Sequence, residues 1–256
     1  MVEPLVRAQL KDKIMLISIN RPTKNNAVNH DTACQLIRAF EDFNENKEAK
    51  IAILYGQGSN FCAGYDLKDV SEGKIETEKN FLPKYRYMGP TSMKLKKPLI
   101  AAIEGYAVAG GLELSLMADI RIASKTSKFG VFCRRVGVPL IDGGTVRLQR
   151  IVGQGRALEM ILTGRAVEAE EALLWGLVNR VVEKDEALNY SIELAKEIIS
   201  HPYDCMIADR NSVFYAQENG FEESMINELK SVSVLDKAVR GAIQFVNKEL
   251  KPPSKL

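Results

Sequence analysis

Glu113 stands one turn inside a segment whose residue types suit anion binding and proton transfer. The segment runs Gly105-Tyr-Ala-Val-Ala-Gly-Gly-Leu-Glu-Leu-Ser-Leu-Met-Ala-Asp119 and follows the apolar run Leu99-Ile-Ala-Ala-Ile103. That run reads as a short buried strand, and Leu112, Leu114, Leu116 and Met117 read as a helix beyond the glycine pair. A chain that passes from a strand through Ala109-Gly110-Gly111 into a helix start aims unpaired backbone N–H groups at one spot. Glycine there lets a ligand approach the main chain. An oxyanion-binding amide and a candidate general base therefore share one element. The plain alternatives are an ordinary helix-start glycine and a solvated glutamate. Glu113 lies between leucines, however, where burial would raise its pKa toward a value useful near neutrality.

A second segment has a related shape. Ile51-Ala-Ile-Leu-Tyr55 is an apolar strand, Gly56-Gln-Gly-Ser-Asn60 a polar turn, and Phe61-Cys-Ala-Gly-Tyr-Asp-Leu-Lys68 follows. Two such loops could each donate one N–H to the same oxygen, as acyl-transfer and enolate chemistry require. Together these segments make the chain resemble the crotonase superfamily, the enoyl-CoA hydratase/isomerase proteins. Arg21-Pro22 with Asn26-Ala27, Ala118-Asp-Ile-Arg121 and Gly143-Gly-Thr-Val-Arg-Leu148 extend the resemblance, as do Leu162-Thr-Gly164 and Trp175-Gly-Leu-Val178.

The resemblance implies a coenzyme A thioester whose carbonyl becomes an enolate oxygen, held by the backbone N–H groups of Tyr65 and Gly110. It places Glu113 on the first catalytic glutamate of the hydratases. Their second glutamate is replaced, since Phe129-Gly-Val-Phe-Cys133 puts a cysteine at that position. A thiol of ordinary pKa near 8.5 is a poor substitute for a carboxylic acid in activating water. Asp142, in Gly137-Val-Pro-Leu-Ile-Asp-Gly-Gly-Thr145, stands where dienoyl-CoA isomerases carry an acid. Its plain alternative is a turn aspartate capping the next helix. Tyr65 takes the place of a residue that is often small, which would narrow the acyl pocket.

The substrate-binding set implied by the motifs is Ala27, Asp66, Leu67 and Lys68, with Phe245 and Lys248 from the terminal helix near a neighbour's nucleotide. CoA phosphates would meet Lys68, Lys248 and the loop from Lys24 to Ala27. Arg134 and Arg135 could pair with a carboxylate, bind phosphate or be solvated; solvated or structural pairing is the expectation. Coenzyme A enters as part of the substrate, with no separate cofactor and no metal. Hydration of a 2-trans-enoyl-CoA in fatty-acid β-oxidation is the first expectation. Enoyl- or dienoyl-CoA double-bond isomerisation is the second, and a catalytically weak CoA-binding or assembly protein the third.

Composition narrows the field in other ways. The chain has 256 residues, 46% hydrophobic and 27% charged, with a net charge of +2. Such a balance singles out neither nucleic acid nor a membrane surface as a partner. No run of 18 apolar residues occurs, and Met-Val-Glu-Pro-Leu at the start lacks a signal-peptide core. Cysteines 34, 62, 133 and 205 lie far apart, which argues against zinc and for four reduced, buried thiols in a reducing compartment. Neither a P-loop nor a G-x-S-x-G elbow is present, and His30 and His201 read as surface or capping residues. Ser254-Lys255-Leu256 at the end reads as a peroxisomal address for an import receptor, kept extended by Lys251-Pro-Pro253, with a cytoplasmic location expected instead if the source lacks peroxisomes.

The elements needed to position these residues follow from periodicity. Two short strands are expected in 5–20, a helix at 31–46 carrying Ala33, Leu36, Ile37, Phe40 and Phe43, and strands at 51–55, 99–103, 119–123 and 177–182. The long connection after residue 69 is expected to form helical turns with an aromatic side over 81–96. Helices are expected at 185–199, 204–218, 221–232 and 235–250. The class is α/β. No repeat is visible in the sequence, so the spiral of β-β-α turns with a C-terminal helical module, assembling as trimers or hexamers, comes from the resemblance. The corresponding division is a core at 1–184, a helical oligomerisation module at 185–250 and a tail at 251–256.

Overall fold

Asp12 and Lys13 both adopt positive φ, 50° and 67°. They form the two-residue turn that joins β1 (Val6–Lys11) to β2 (Ile14–Ile19) in an antiparallel hairpin. The computed structural model describes residues 3–73 and 84–247. The chain divides into two compact units, Met1–Ile192 and Glu193–Leu256.

In the first unit β2 pairs in parallel with β3 (Ile51–Gly56), β3 with β4 (Leu99–Ile103), and β4 with β6 (Ile120–Ser124). β9 (Arg180–Val182) completes a six-stranded sheet of order β1-β2-β3-β4-β6-β9. β4 is buried at every position and β3 at its first four. Continuous apolar runs of this kind mark parallel strands covered on both faces. The edge strand β1 is exposed beyond Val6 and carries Arg7 and Lys11, which discourage further pairing. One covering layer is α1 (His30–Glu45), capped by the Asn29 side chain on the Thr32 N–H at 3.1 Å. Its Leu36, Phe40 and Phe43 share one core with Ile17, Leu54, Phe61 and Phe129.

A second sheet is the part periodicity does not announce. β5 (Tyr106–Val108), β7 (Lys128–Gly130) and β8 (Val167–Glu168) form it, and Cys62 joins it by a bridge to Ala107. The chain thus repeats a pattern: a strand of the large sheet, a short strand of the small one, then a helix. β3, Cys62 and α2 (Leu67–Ser71) make one turn; β4, β5 and α3 (Gly110–Ser115) make the next. β6 and β7 then lead to α4 (Gly144–Val152) and α5 (Gln154–Thr163), and α6 (Ala169–Leu174) precedes β9. This is the spiral the resemblance implied.

The expected helical turns at 81–96 are not found where the structure describes them, from residue 84 onward. Only a single 3₁₀ turn, Pro90–Ser92, is present there. Gly89 and Pro90 break the apolar spacing, and Gly89 requires φ +88°, with its Cα against the Ala33 carbonyl of α1. Helix α7 (Ala187–Ser200) crosses the division between the units. The second unit contains α8 (Tyr203–Glu218), α9 (Phe221–Glu228), a 3₁₀ turn and α10 (Leu235–Val246).

Candidate active site

The two loops singled out by sequence meet. Cys62 donates its N–H to the Tyr106 carbonyl at 2.8 Å, and Val108 donates to the Cys62 carbonyl at 3.1 Å. The approach is so close that a Cβ on Gly111 would lie 2.0 Å from the Cys62 oxygen. A Cβ on Gly64 would lie 3.0 Å from the Gly110 nitrogen. Glycine at both positions is what lets the loops touch. Val28 donates to the Gly64 carbonyl and accepts from Asp66, each at 2.8 Å, so the Tyr65 N–H between them points to the opposite edge. Ala109, with φ 52° and ψ −125°, turns the chain into α3. A non-glycine residue in such a conformation stores about 1–3 kcal/mol, the kind of strain found at ligand-binding turns. Tyr65 and Gly110 line one cavity of about 130 Å³.

Glu113 lines the same cavity and is 3% exposed. Its Oε1 accepts the N–H of Asp142 at 2.9 Å and that of Gly144 at 2.8 Å. The other carboxyl oxygen makes no hydrogen bond among the described residues. Burial, reinforced by the charge of Asp142, pushes the Glu113 pKa up to about 7 against the pull of those two amides and Arg147. A group so poised can exist as carboxylate or acid near neutral pH, which is the requirement for shuttling a proton.

Asp142 is also 3% exposed and lines the cavity. It does not cap α4: Gly143 is that N-cap and no side chain serves it. The Asp142 Oδ1 instead accepts the Met88 N–H at 2.9 Å and the Thr91 hydroxyl at 2.6 Å. Burial raises its pKa while these two bonds oppose the rise. Cys133 lies in the same cavity, its thiol pKa raised by burial and by the charge of Glu113. The walls are otherwise largely apolar, with Tyr65 and Tyr87 meeting edge to face at 5.9 Å.

The remaining candidates are spread differently. Asp66 caps α2 by accepting the Lys68 N–H at 3.1 Å and pairs with Arg21 at 2.9 Å, while Arg21 also donates to the Ala27 carbonyl. These two positions are thus tied to one another by Arg21. Leu67 is half exposed and lines the cavity; Lys68 is exposed, 3.6 Å from Glu72. Phe245 lies on α10 in the second unit, 73% exposed, and Lys248 falls outside the described residues. Arg134 donates to the Ile161 carbonyl at 3.2 Å and Arg135 to that of Gly164 at 2.8 Å, so both tie down the end of α5. No disulfide joins the cysteines, but the expectation of four buried thiols is corrected: Cys62 and Cys133 are buried, Cys34 is half-buried and Cys205 exposed. Cys205 sits on α8, where no apolar stripe demands burial.

Sequence reasoning missed Met88, Thr91 and Arg147. Arg147 donates to the Thr91 carbonyl at 2.6 Å and more weakly to that of Asp142 at 3.3 Å. No local pattern marks Thr91. Arg147 carried one weak signal, a charge on the face of α4 that follows Asp142-Gly-Gly. Among the described residues no cluster of His, Cys, Asp and Glu could hold a metal ion, and no helix is long and apolar enough to cross a membrane.

The family model described as enoyl-CoA hydratase/isomerase matches residues 9–249. A carnitinyl-CoA dehydratase of Escherichia coli O157:H7 is 33% identical over 244 residues, covering 92% of each chain. A mevalonyl-coenzyme A hydratase of Aspergillus fumigatus is 33% identical over 221 residues, 86% of this chain and 80% of that one. The crystal structure of an enoyl-CoA hydratase from Mycobacterium marinum superposes with a TM-score of 0.89 at 33% identity, covering 98% of both chains. The expectation of a peroxisomal location is corrected by the matched carnitinyl-CoA dehydratases, which come from Escherichia coli and Salmonella, bacteria without peroxisomes. These relatives lend no support to the import receptor as a partner. Three terminal residues carry far less information than a nearly full-length match, and Ser254, Lys255 and Leu256 lie outside the described residues.

Proposed function

The chain belongs to the enoyl-CoA hydratase/isomerase family of the crotonase superfamily, and on that premise we propose that it adds water to a 2-trans-enoyl-CoA thioester. The observation that carries this reading is Glu113, held by two amides on one oxygen, in the cavity that Tyr65 and Gly110 line. The thioester oxygen would sit on the Tyr65 and Gly110 N–H groups, which stabilise the charge that develops on it. As the water oxygen bonds to C3, the Glu113 carboxylate takes one of its protons and the electron pair of the double bond moves onto the thioester as an enolate. The enolate collapses when C2 takes that proton back from Glu113. One carboxyl can therefore complete the addition, with Asp142 as the second charge beside it. Fatty-acid β-oxidation is a setting that needs this step.

The rest of the reading concerns binding and assembly. Lys68 and the loop from Lys24 to Ala27 suit the CoA phosphates, and the coenzyme arrives as part of the substrate. Phe221, Ile226 and Leu229 of the α9 region and Val239 and Val246 of α10 are more than half exposed in the single chain, which supports a homotrimer or hexamer.

The alternative is double-bond isomerisation, favoured by Cys133 where a second carboxylate would otherwise help activate water. Loss of enoyl-thioester absorbance with crotonyl-CoA, measured beside 3-enoyl- and 2,5-dienoyl-CoA substrates, separates the two. Turnover of only the latter substrates would overturn hydration, and turnover of none would leave a CoA-binding protein. Cys133→Glu is expected to raise hydration relative to isomerisation; an unchanged product ratio would favour the isomerase. Asp142→Asn can still accept from Met88 and Thr91 but loses the charge beside Glu113. Its turnover is expected to fall about 10²-fold, and the double variant with Glu113→Gln should be little worse than Glu113→Gln alone. Wild-type turnover in Asp142→Asn would reduce Asp142 to a structural tie.

A further inference from the structure

We propose that Thr91 is a positioning residue for Glu113: its hydroxyl fixes Asp142, and Asp142 in turn fixes Glu113 so that the reacting carboxyl presents one oxygen to the cavity. The inference rests on the reading of Glu113 as the acid/base group and goes beyond it to a residue that touches neither substrate nor Glu113.

Three segments far apart in sequence are joined at Asp142. Its side chain takes the Thr91 hydroxyl at 2.6 Å and the Met88 N–H at 2.9 Å, both on Oδ1. Its own N–H holds the Glu113 Oε1 at 2.9 Å. Thr91 is 1% exposed, and its carbonyl is held by Arg147 at 2.6 Å, so the hydroxyl is anchored by its own backbone. The turn that carries it is seated against α1 through Gly89. A hydroxyl donating to a buried carboxylate at this distance is a charge-assisted bond, stronger than a neutral one. Without it Oδ1 keeps only the Met88 amide, and the Asp142 side chain loses one of its two hydrogen-bond restraints. Its amide, and with it the orientation of Glu113, then loses one restraint. A Cβ on Gly110 would meet the Met88 sulfur at 2.4 Å, so the same tie also seats the thioether against the candidate oxyanion amide.

The charges facing this network set the sign of the test. Glu113 faces Asp142, Arg147 and the Cys133 thiol; Asp142 faces Arg86 and Arg147; Arg134 lies near Cys133 and Arg150 near Arg147. The Thr91 bond favours the anionic form of Asp142, and anionic Asp142 disfavours the anionic form of Glu113. Removing the hydroxyl makes Asp142 easier to protonate and Glu113 easier to ionise. The two titrate as a pair, so the measured quantities are apparent values of the pair.

The experiment compares Thr91→Val and Thr91→Ser with wild type by ¹³C-carboxyl NMR titration of the ligand-free protein and by the pH dependence of kcat/KM with crotonyl-CoA. Thr91→Val should move the apparent pKa values of the carboxyl pair by about half to one unit. It should also lower kcat about tenfold with little change in KM. Thr91→Ser should restore both. Thr91→Ala serves as the second apolar variant if valine prevents folding. An apolar variant that is less stable but keeps the wild-type titration and pH profile would overturn the proposal, and so would a serine variant that restores neither. A wild type inactive on every enoyl-CoA would refute the hydratase reading, while the NMR titration would still decide the role of Thr91.

Discussion

Glu113→Gln is expected to lower turnover by about 10²–10⁴ while acyl-CoA still binds, because acid/base chemistry is lost and the amide donors remain. The glutamine oxygen can still accept from Asp142 and Gly144, so the local fold should persist. The same substitution has a second expected effect, on stability. The folded-state pKa of Glu113 is raised from 4.5 to about 7, so the fold favours its protonated form. Wild-type stability from this group is therefore fully present below the unfolded value and is lost as pH rises from about 4.5 through 7. Glutamine has no proton to lose. At about 1.4 kcal/mol per unit, the variant should gain up to roughly 3 kcal/mol over wild type above pH 7 and little near pH 4. Urea unfolding at both pH values, beside turnover, checks the pair. A variant that is active, or no more stable at pH 8, would mean that Glu113 is not a buried acid/base group. In wild type, kcat/KM for hydration should rise with pH through about 7 as the carboxylate forms.

The second large effect is expected at Gly110, where Gly110→Pro should abolish about 10²–10³ of the rate by deleting one oxyanion donor. Proline at the first position of α3 costs no helical hydrogen bond. It does add bulk, since a Cβ there meets the Met88 sulfur at 2.4 Å and Ala109 already holds a strained conformation. Gly110→Ala brings the same Cβ and keeps the N–H. The comparison therefore isolates the amide: alanine is expected to retain most of the rate that proline loses, once both variants are shown to be folded by circular dichroism. Equal losses would assign the effect to crowding at Met88 and remove the Gly110 amide from the mechanism.

The reach of each physical signal explains how much was legible in the sequence. β4 falls at Leu99–Ile103 as expected, and α1 lies within one residue of its expected limits at each end. A run apolar at every position and a stripe at helical spacing are local consequences of burial. The Gly110-Gly111 pair was legible for a similar reason, since a Cβ on Gly111 would strike the Cys62 backbone and one on Gly110 the Met88 side chain. Glu113 between leucines could be read as buried, and it is. The small sheet was not legible, because strands of two or three residues are too short to show alternation. The spiral repeat is carried by backbone pairing and leaves no sequence period.

Asp142 marks the limit most clearly. An aspartate before a glycine pair carries a strong local expectation of capping, yet its partners lie 51 and 54 residues earlier. The Thr91 hydroxyl and the Met88 amide reach it only because Gly89 seats their turn against α1 and Arg147 holds the Thr91 carbonyl. By itself the sequence determined the strands of the large sheet, the glycine-lined loops and one buried glutamate, since local sterics and apolar periodicity act over a few residues. Only the tertiary structure decided which oxygen of Glu113 is held, what Asp142 bonds and where the cavity beside them lies. Hydrogen bonds between distant segments depend on positions to within a fraction of an ångström, and no spacing of residue types along a chain encodes that.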